Sequence, residues 1–172
     1  SAVNEWIDRQ LDLCSHIDDK HLRFELATLA IGYAVDRKRF ADAVTLQQYR
    51  VEGVYPLERR PDQLATLGGI LEMMAEQEAP EQAANLKLQA RNAFADSREA
   101  AEAFASVSHG AFQRQVISTL DEAALLREGD EDEACAAAEL YAAAKKYLME
   151  QELLRGADPE FRQTLAKLSA LG

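Results

Sequence analysis

Apolar residues recur along this chain every three or four positions, the spacing that gathers side chains on one face of an α-helix. Val3, Ile7, Leu11 and Cys14 form the first stripe, with Trp6 and Ile17 beside it, and predict a helix over about residues 2–18. Asp18 or Asp19 then stands where a carboxylate accepts from the free N–H groups of a new helix. In that second helix Leu22, Leu26, Leu29 and Tyr33 follow one stripe, while Phe24, Ile31 and Val35 add another apolar side. Apolar over so wide an arc, this helix is expected at the centre of the core.

A third helix is predicted over about residues 39–51, with Phe40, Ala43, Val44 and Leu46 inward. Residues 52–61 form the clearest break, because Gly53, Pro56 and Pro61 interrupt a helix and Glu58, Arg59 and Arg60 hold water. Pro61 suits the first turn of a fourth helix, striped with Leu64, Leu67, Leu71 and Met74 and flanked by Ile70 and Met73. Pro80 opens a fifth, carrying Ala84, Leu88 and Phe94. Asp96 and Glu99 have capping-box spacing and predict a restart there, with a continuous helix as the alternative. Phe104 and Val107 follow, and His109-Gly110 marks a bend. Phe112, Val116, Leu120 and Ala123 or Ala124 stripe the next helix.

The acidic run Asp130 to Glu133 suits the positive end of another helix. Its apolar positions are Leu140, Tyr141, Ala144, Tyr147, Leu148 and Leu153. Gly156, Asp158 and Pro159 predict one last helix with Phe161, Leu165 and Leu168 inward. No segment sustains period-two alternation, and no Asn-Gly or Asp-Gly hairpin signal occurs. The expected fold is all-α: one domain over residues 1–172, a compact array of about eight or nine short antiparallel helices joined as helical hairpins, with 52–61 as its main internal break.

Composition sharpens this picture. A hydrophobic fraction of 48% and a charged fraction of 28% are globular values and exclude a disordered chain. Aromatics make up only 7%, so the core rests on small and aliphatic residues, among them alanine, the best helix former. The net charge of −11 opposes a phosphate backbone, and no nucleic-acid partner is expected. Arg37, Lys38 and Arg39, and the pair Arg59-Arg60, read as helix-end and loop charge. No stretch approaches the roughly 20 apolar residues that cross a bilayer, and Asn4, Glu5 and Asp8 break up any leader-like run. Cys14 and Cys135 fall on apolar faces and are expected as buried free thiols in a cytoplasmic protein.

Two fragments, Phe40-Ala41-Asp42-Ala43 and the run Gly129 to Ala134, each resemble part of a tetratricopeptide repeat. That resemblance would imply peptide binding in a concave groove. The registers disagree. Gly32 sits one place off the spacing Phe40 and Ala43 need, and Glu131 stands where the aromatic belongs. Ala43 and Ala134 are 91 residues apart, not a multiple of the repeat length of about 34. The fragments are therefore read as packing chemistry of helical hairpins.

Few residue groups suggest a reaction. His16, Asp18, Asp19 and His21 cluster at one helix junction and could ligate zinc or iron, but a di-iron bundle needs carboxylates and histidines from further helices. His109 lies near Ser106 and Ser108, without an orienting acid or a nucleophile elbow. Glu72 and Glu76 are spaced to share an exposed helix face, as are Glu128 and Asp132 if a helix persists there, and on such faces carboxylates do not divide acid and base roles. Gly68-Gly69 inside a helix suggests close helix approach, and Met73 and Met74 beside it suit core filling or an adaptable groove. The connection holding Tyr49, Val54, Tyr55 and Leu57 is the most apolar in the chain and is the candidate partner surface.

The expectation is a non-enzymatic protein–protein interaction module, of the kind of a dedicated chaperone, a toxin-neutralising partner or a regulatory adaptor. It would present an acidic surface to a protein partner, a basic one by charge, with self-association as another use of the same surface. No cofactor or metal is expected. The alternative is a ligand- or cofactor-binding helical sensor with its pocket near Gly68, Gly69, Met73 and Met74.

Overall fold

The computed structural model describes residues 1–155 and, beyond them, Pro159, Arg162, Gln163 and Ala166. The described residues form seven α-helices and no strand: α1 (Ala2–His16), α2 (Lys20–Asp36), α3 (Phe40–Gly53), α4 (Arg60–Ala75), α5 (Pro80–Glu102), α6 (His109–Arg127) and α7 (Glu131–Arg155). A single 3-10 turn, Leu57–Arg59, leads into α4. The helix predicted from Asp158 and Pro159, with Phe161, Leu165 and Leu168, lies outside the described residues.

Most helix starts follow from local chemistry. The Asp19 carboxylate accepts from the N–H groups of His21 and Leu22 at 2.9 and 3.0 Å and caps α2. Pro61 and Pro80 sit in the first turns of α4 and α5, where a missing N–H removes no helical bond. The acidic run before α7 closes a reciprocal capping box. Glu133 N–H donates to Asp130 Oδ1 at 2.9 Å, and Asp130 N–H donates to Glu133 Oε2 at 3.1 Å.

The predicted restart at Asp96 does not occur. α5 runs unbroken through it; with the last predicted helix outside the described residues, seven helices are described against the eight or nine expected. Ser97 explains why. Its side chain lies on the buried face of α5, where the hydroxyl donates to the Pro61 carbonyl at 2.7 Å and shares a 2.8 Å hydrogen bond with Ser118 of α6. A polar cluster that resembles a cap is here the hydrogen-bonded contact among three helices. Phe104 and Val107 then fall in a turn rather than a helix, and Val107 is exposed.

Each helix packs chiefly on its neighbours in sequence, with smaller contacts of α1 on α3 and α4 on α6. The core is accordingly a series of linked clusters. Ile7, Ala27, Ala30, Ile31, Ala34, Ala43, Leu46 and Ile70 join the first four helices. Ala65, Leu71, Ala90, Ala93 and Phe94 join α4 to α5, and Val44 touches both groups. Phe112, Val116, Leu120 and Leu148 hold α6 to α7. Because α4 reaches into the first cluster through Ile70 and Met73, the 52–61 connection does not interrupt the core.

Two inward assignments on α5 fail. Ala84 and Leu88 are exposed, and the buried face is Ala90, Ala93, Phe94, Ser97 and Ala101. Cys135 also departs from expectation. Cys14 is buried, but Cys135 is exposed on α7, because Ala137, Ala144 and Leu148 supply that helix's packing face.

Candidate interaction surface

The second helix carries two apolar faces, and the core takes the one built from small residues. Ala27, Ala30, Ile31 and Ala34 are buried, allowing α1 and α3 to approach closely. The stripe expected to be central faces outward instead. Leu22 is 48% exposed, Leu29 63% and Tyr33 53%, with Leu26 half-buried between them. Among the described residues no further helix lies beyond α1 and α2 to cover this side.

The first helix repeats the pattern. Ile7 and Cys14 are buried with Leu11 partly buried, while Val3, Trp6, Gln10 and Leu13 make a second stripe, of which Leu13 is exposed and Val3 and Trp6 pack against the first core cluster. The two stripes step by alternating threes and fours: 3, 6, 10 and 13 on α1, with Gln10 its polar member, and 22, 26, 29, 33 on α2. That is the strict a/d seam of coiled-coil packing, narrower than an ordinary core-facing stripe. The two seams meet at one end. Trp6 and Tyr33 touch edge to face, and with Ala2 and Val3 they line an open apolar depression of about 290 Å³.

α1 is held in place by Arg39, which follows α2. Its guanidinium donates to the Asn4 carbonyl at 3.0 Å and to Asp42 at 2.7 Å, and it pairs with Asp8. At the other end Arg23 donates twice to the Ile17 carbonyl, at 2.9 and 2.6 Å. The hairpin and its exposed seam are thus fixed at both ends.

The loop candidates divide. Val54 is buried, and Tyr49 packs on the first cluster with the Arg23 guanidinium 5.1 Å from its ring centre. Tyr55 and Leu57 are exposed, at 78% and 59%. α3 ends tightly against α2 at Gly53, where an added methyl group would overlap the Lys20 carbonyl. On this side of α2 the Arg50 guanidinium lies 5.6 Å from the centre of the Phe24 ring. The loop therefore offers two apolar side chains, and the seam offers a continuous face.

Gly68 and Gly69 do not open a pocket. The space beside Gly68 is filled by the Phe94 ring, and Met73 packs on the first cluster. Met74 lines an open cleft with Lys38, Arg39, Phe40 and Gln77.

The other groups singled out by sequence are engaged in structure. His16 and His21 are exposed and lie near Asp12 and Glu25, one turn away on their own helices. The Ser108 hydroxyl accepts from the Ala111 N–H at 3.2 Å and caps α6. Glu72 is half-buried, not solvated as its spacing suggested. Burial pushes its carboxyl above the usual range, reinforced by Asp121, Glu128 and Glu76 and opposed by Lys87. Glu128 and Asp132 do not share a helix, because the chain breaks between α6 and α7. Among the described residues, no three His, Cys, Asp or Glu side chains converge as a metal site would require. No described helix is long and apolar enough to cross a membrane.

No protein family matches this chain, and neither does any curated protein or solved structure.

Sequence reasoning placed Leu22, Leu26, Leu29 and Tyr33 on one stripe and assigned it to the core. The signal that separates the two faces is present in the spacing. Among the described residues, the alanine-rich face of α2 is covered and its leucine face is not.

Proposed function

We propose that the chain is a non-enzymatic protein-interaction module that accepts a helical element of a partner protein along the α1–α2 seam. The observation that carries this reading is the outward a/d stripe of α2, with Leu22, Leu29 and Tyr33 exposed, joined at one end by Trp6 of α1. Exposed leucines and aromatics in coiled-coil register are poorly matched to water and well matched to a further helix. Helix-in-groove binding uses anchors at this spacing.

The test is a pull-down from the native host with the wild-type chain and a Leu22→Glu/Leu29→Glu double variant. Both positions are exposed, so the variant should keep its helical circular dichroism. Recovery of a stoichiometric protein by the wild type and its loss from the variant supports the reading. Equal recovery by both overturns it.

A further inference from the structure

The exposed stripe of α2 reads the same from either end. Leu22, Leu26, Leu29 and Tyr33 step by four, three and four. Turned end for end about a two-fold axis between Leu26 and Leu29, the stripe meets itself, Leu22 opposite Tyr33 and Leu26 opposite Leu29. An isologous interface between identical chains requires such self-matching.

The two ends of the stripe also fit each other in shape. At the Tyr33 end, Ala2, Val3, Trp6 and Tyr33 line the open apolar depression. At the other end Leu22 stands exposed. An antiparallel pairing carries Leu22 of each copy to the depression of the other. A parallel pairing would leave it about 16 Å away, the helical rise between residues 22 and 33.

Charge agrees with the antiparallel orientation. Asp18, Asp19 and Lys20 give the start of α2 an acidic excess, and Asp36, Arg37 and Lys38 give its end a basic one; all six are exposed. End-for-end pairing sets the one group against the other. Asp19 and Asp36 then approach, each beside a base, Lys20 and Arg37. Glu25 falls near Gly32 of the other copy, which presents no side chain. Exposed charges of this kind contribute little affinity, but they select register and orientation.

We infer that the outward stripe of α2 is covered by the same stripe of a second copy, packed antiparallel, with Leu22 of each copy in the depression beside Trp6 of the other; this rests on the seam being the docking face. A contact between two single helices is small, so the dimer should be weak, roughly micromolar or weaker. Each chain carries −11, and that repulsion opposes association at long range. Salt screens it and leaves the apolar contact in place, so the dimer should tighten as salt rises. A basic partner drawn in by steering would instead be weakened.

Sedimentation of the full chain over a concentration series, read together with Trp6 emission, tests this. The wild type should pass from monomer to dimer, and its emission should move to the blue over the same range as Leu22 covers the indole. Leu22→Glu and Leu29→Glu, which bring a charge into the apolar contact, should each raise the dissociation constant at least about tenfold with helical circular dichroism unchanged.

A chain that stays monomeric throughout would overturn the inference and leave the pull-down to decide the docking reading. A dimer that survives both variants lies on another face and would overturn the inference too. So would a dimer lost in both whose formation leaves Trp6 emission unchanged, since Leu22 then does not reach the depression. A monomer from which the pull-down recovers a foreign protein, lost in the double variant, keeps the docking face and overturns the second copy. No dimer, together with equal recovery by wild type and double variant, overturns both.

Discussion

Trp6 stands edge-on to Tyr33, with ring centroids 5.3 Å apart and planes inclined at 77°. This geometry sets the positive edge of one ring against the negative face of the other, an arrangement that adds about 0.5–1.5 kcal/mol beyond area burial. Tyr33 is otherwise half in water, while Trp6 packs against the first core cluster, so the pair closes the open end of the hairpin at the edge of its core. Tyr33→Ala should cost about 1 kcal/mol. It should also shift tryptophan emission to the red as water reaches the indole. Trp6 is the sole tryptophan, so the spectrum reports the surroundings of this one residue. Unchanged emission together with unchanged stability would show the ring pair to be dispensable.

The adjacent glycines of α4 should respond in opposite directions to one substitution. A Cβ at Gly68 would lie 2.7 and 2.8 Å from two atoms of the Phe94 ring, which is itself buried between α4 and α5. A Cβ at Gly69 meets nothing within 4 Å. Gly68→Ala should therefore destabilise by about 1–3 kcal/mol, the range for overpacking a filled core. Gly69→Ala should stabilise by about 0.5–1 kcal/mol, since it only restricts the unfolded chain and improves helix propensity. Urea unfolding of the two single variants measures both signs. The same sign for both would contradict the placement of Phe94.

Much of this fold was legible in the chain because the signals were local. Asp19, Pro61, Pro80 and the Asp130/Glu133 box each act within one turn of their own helix, and each helix starts where they indicate. The Asp96/Glu99 spacing was equally local and misled, because Ser97 between them answers to Pro61 and Ser118 on other helices. The orientation of α2 was harder still. Its alanine face and its leucine face both satisfy helical periodicity, and only the neighbours present in the structure decide which is buried. Of the loop candidates, Tyr55 and Leu57 remained outside, whereas Val54 and Tyr49 were drawn into packing by α2. Cys135 was misassigned for the same reason: its helix is rich in alanine on several sides, and a small side chain does not reveal which side is covered.

Stability should depend on pH through the acidic residues between α4 and α6. Burial raises the Glu72 carboxyl above its ordinary value of 4.5, and it raises Asp121 above 3.8, the latter opposed by Arg114. A carboxyl raised in the folded state binds its proton more tightly there than in the unfolded chain. Its contribution is fully present below the unfolded value and is lost as pH rises through the folded one. At neutral pH the ionised Glu72 is therefore a liability. Glu72→Gln should raise the Tm there, by about 2–4 °C for each ~1 kcal/mol relieved. The difference from wild type should fade as the pH is lowered below the ordinary glutamate range of about 4.3, where Glu72 gains its proton in the unfolded chain as well. Melting curves across that range test the sign, and a variant equally or more stabilised at low pH would contradict it.

The two cysteines should be separable by reactivity. Cys14 is fully buried, its thiol donates weakly to the Arg23 carbonyl at 3.9 Å, and burial pushes its pKa up despite the nearby Arg23 charge. Thiolate formation and reagent access are both suppressed there, and both are needed for attack. Cys135 is exposed on α7, where a reagent can approach it directly. Titration of the native chain with a thiol reagent should therefore give one fast equivalent and a second only at the rate of opening or unfolding. Cys135→Ser should remove the fast phase, and Cys14→Ser should leave it intact. Denaturant should bring the wild-type count to two in a single phase. A fast phase that survives Cys135→Ser would mean that α1 lifts from α2 readily, contrary to the anchoring by Arg39 and Arg23. The same labelling would then locate the seam's first helix as the mobile part of the hairpin.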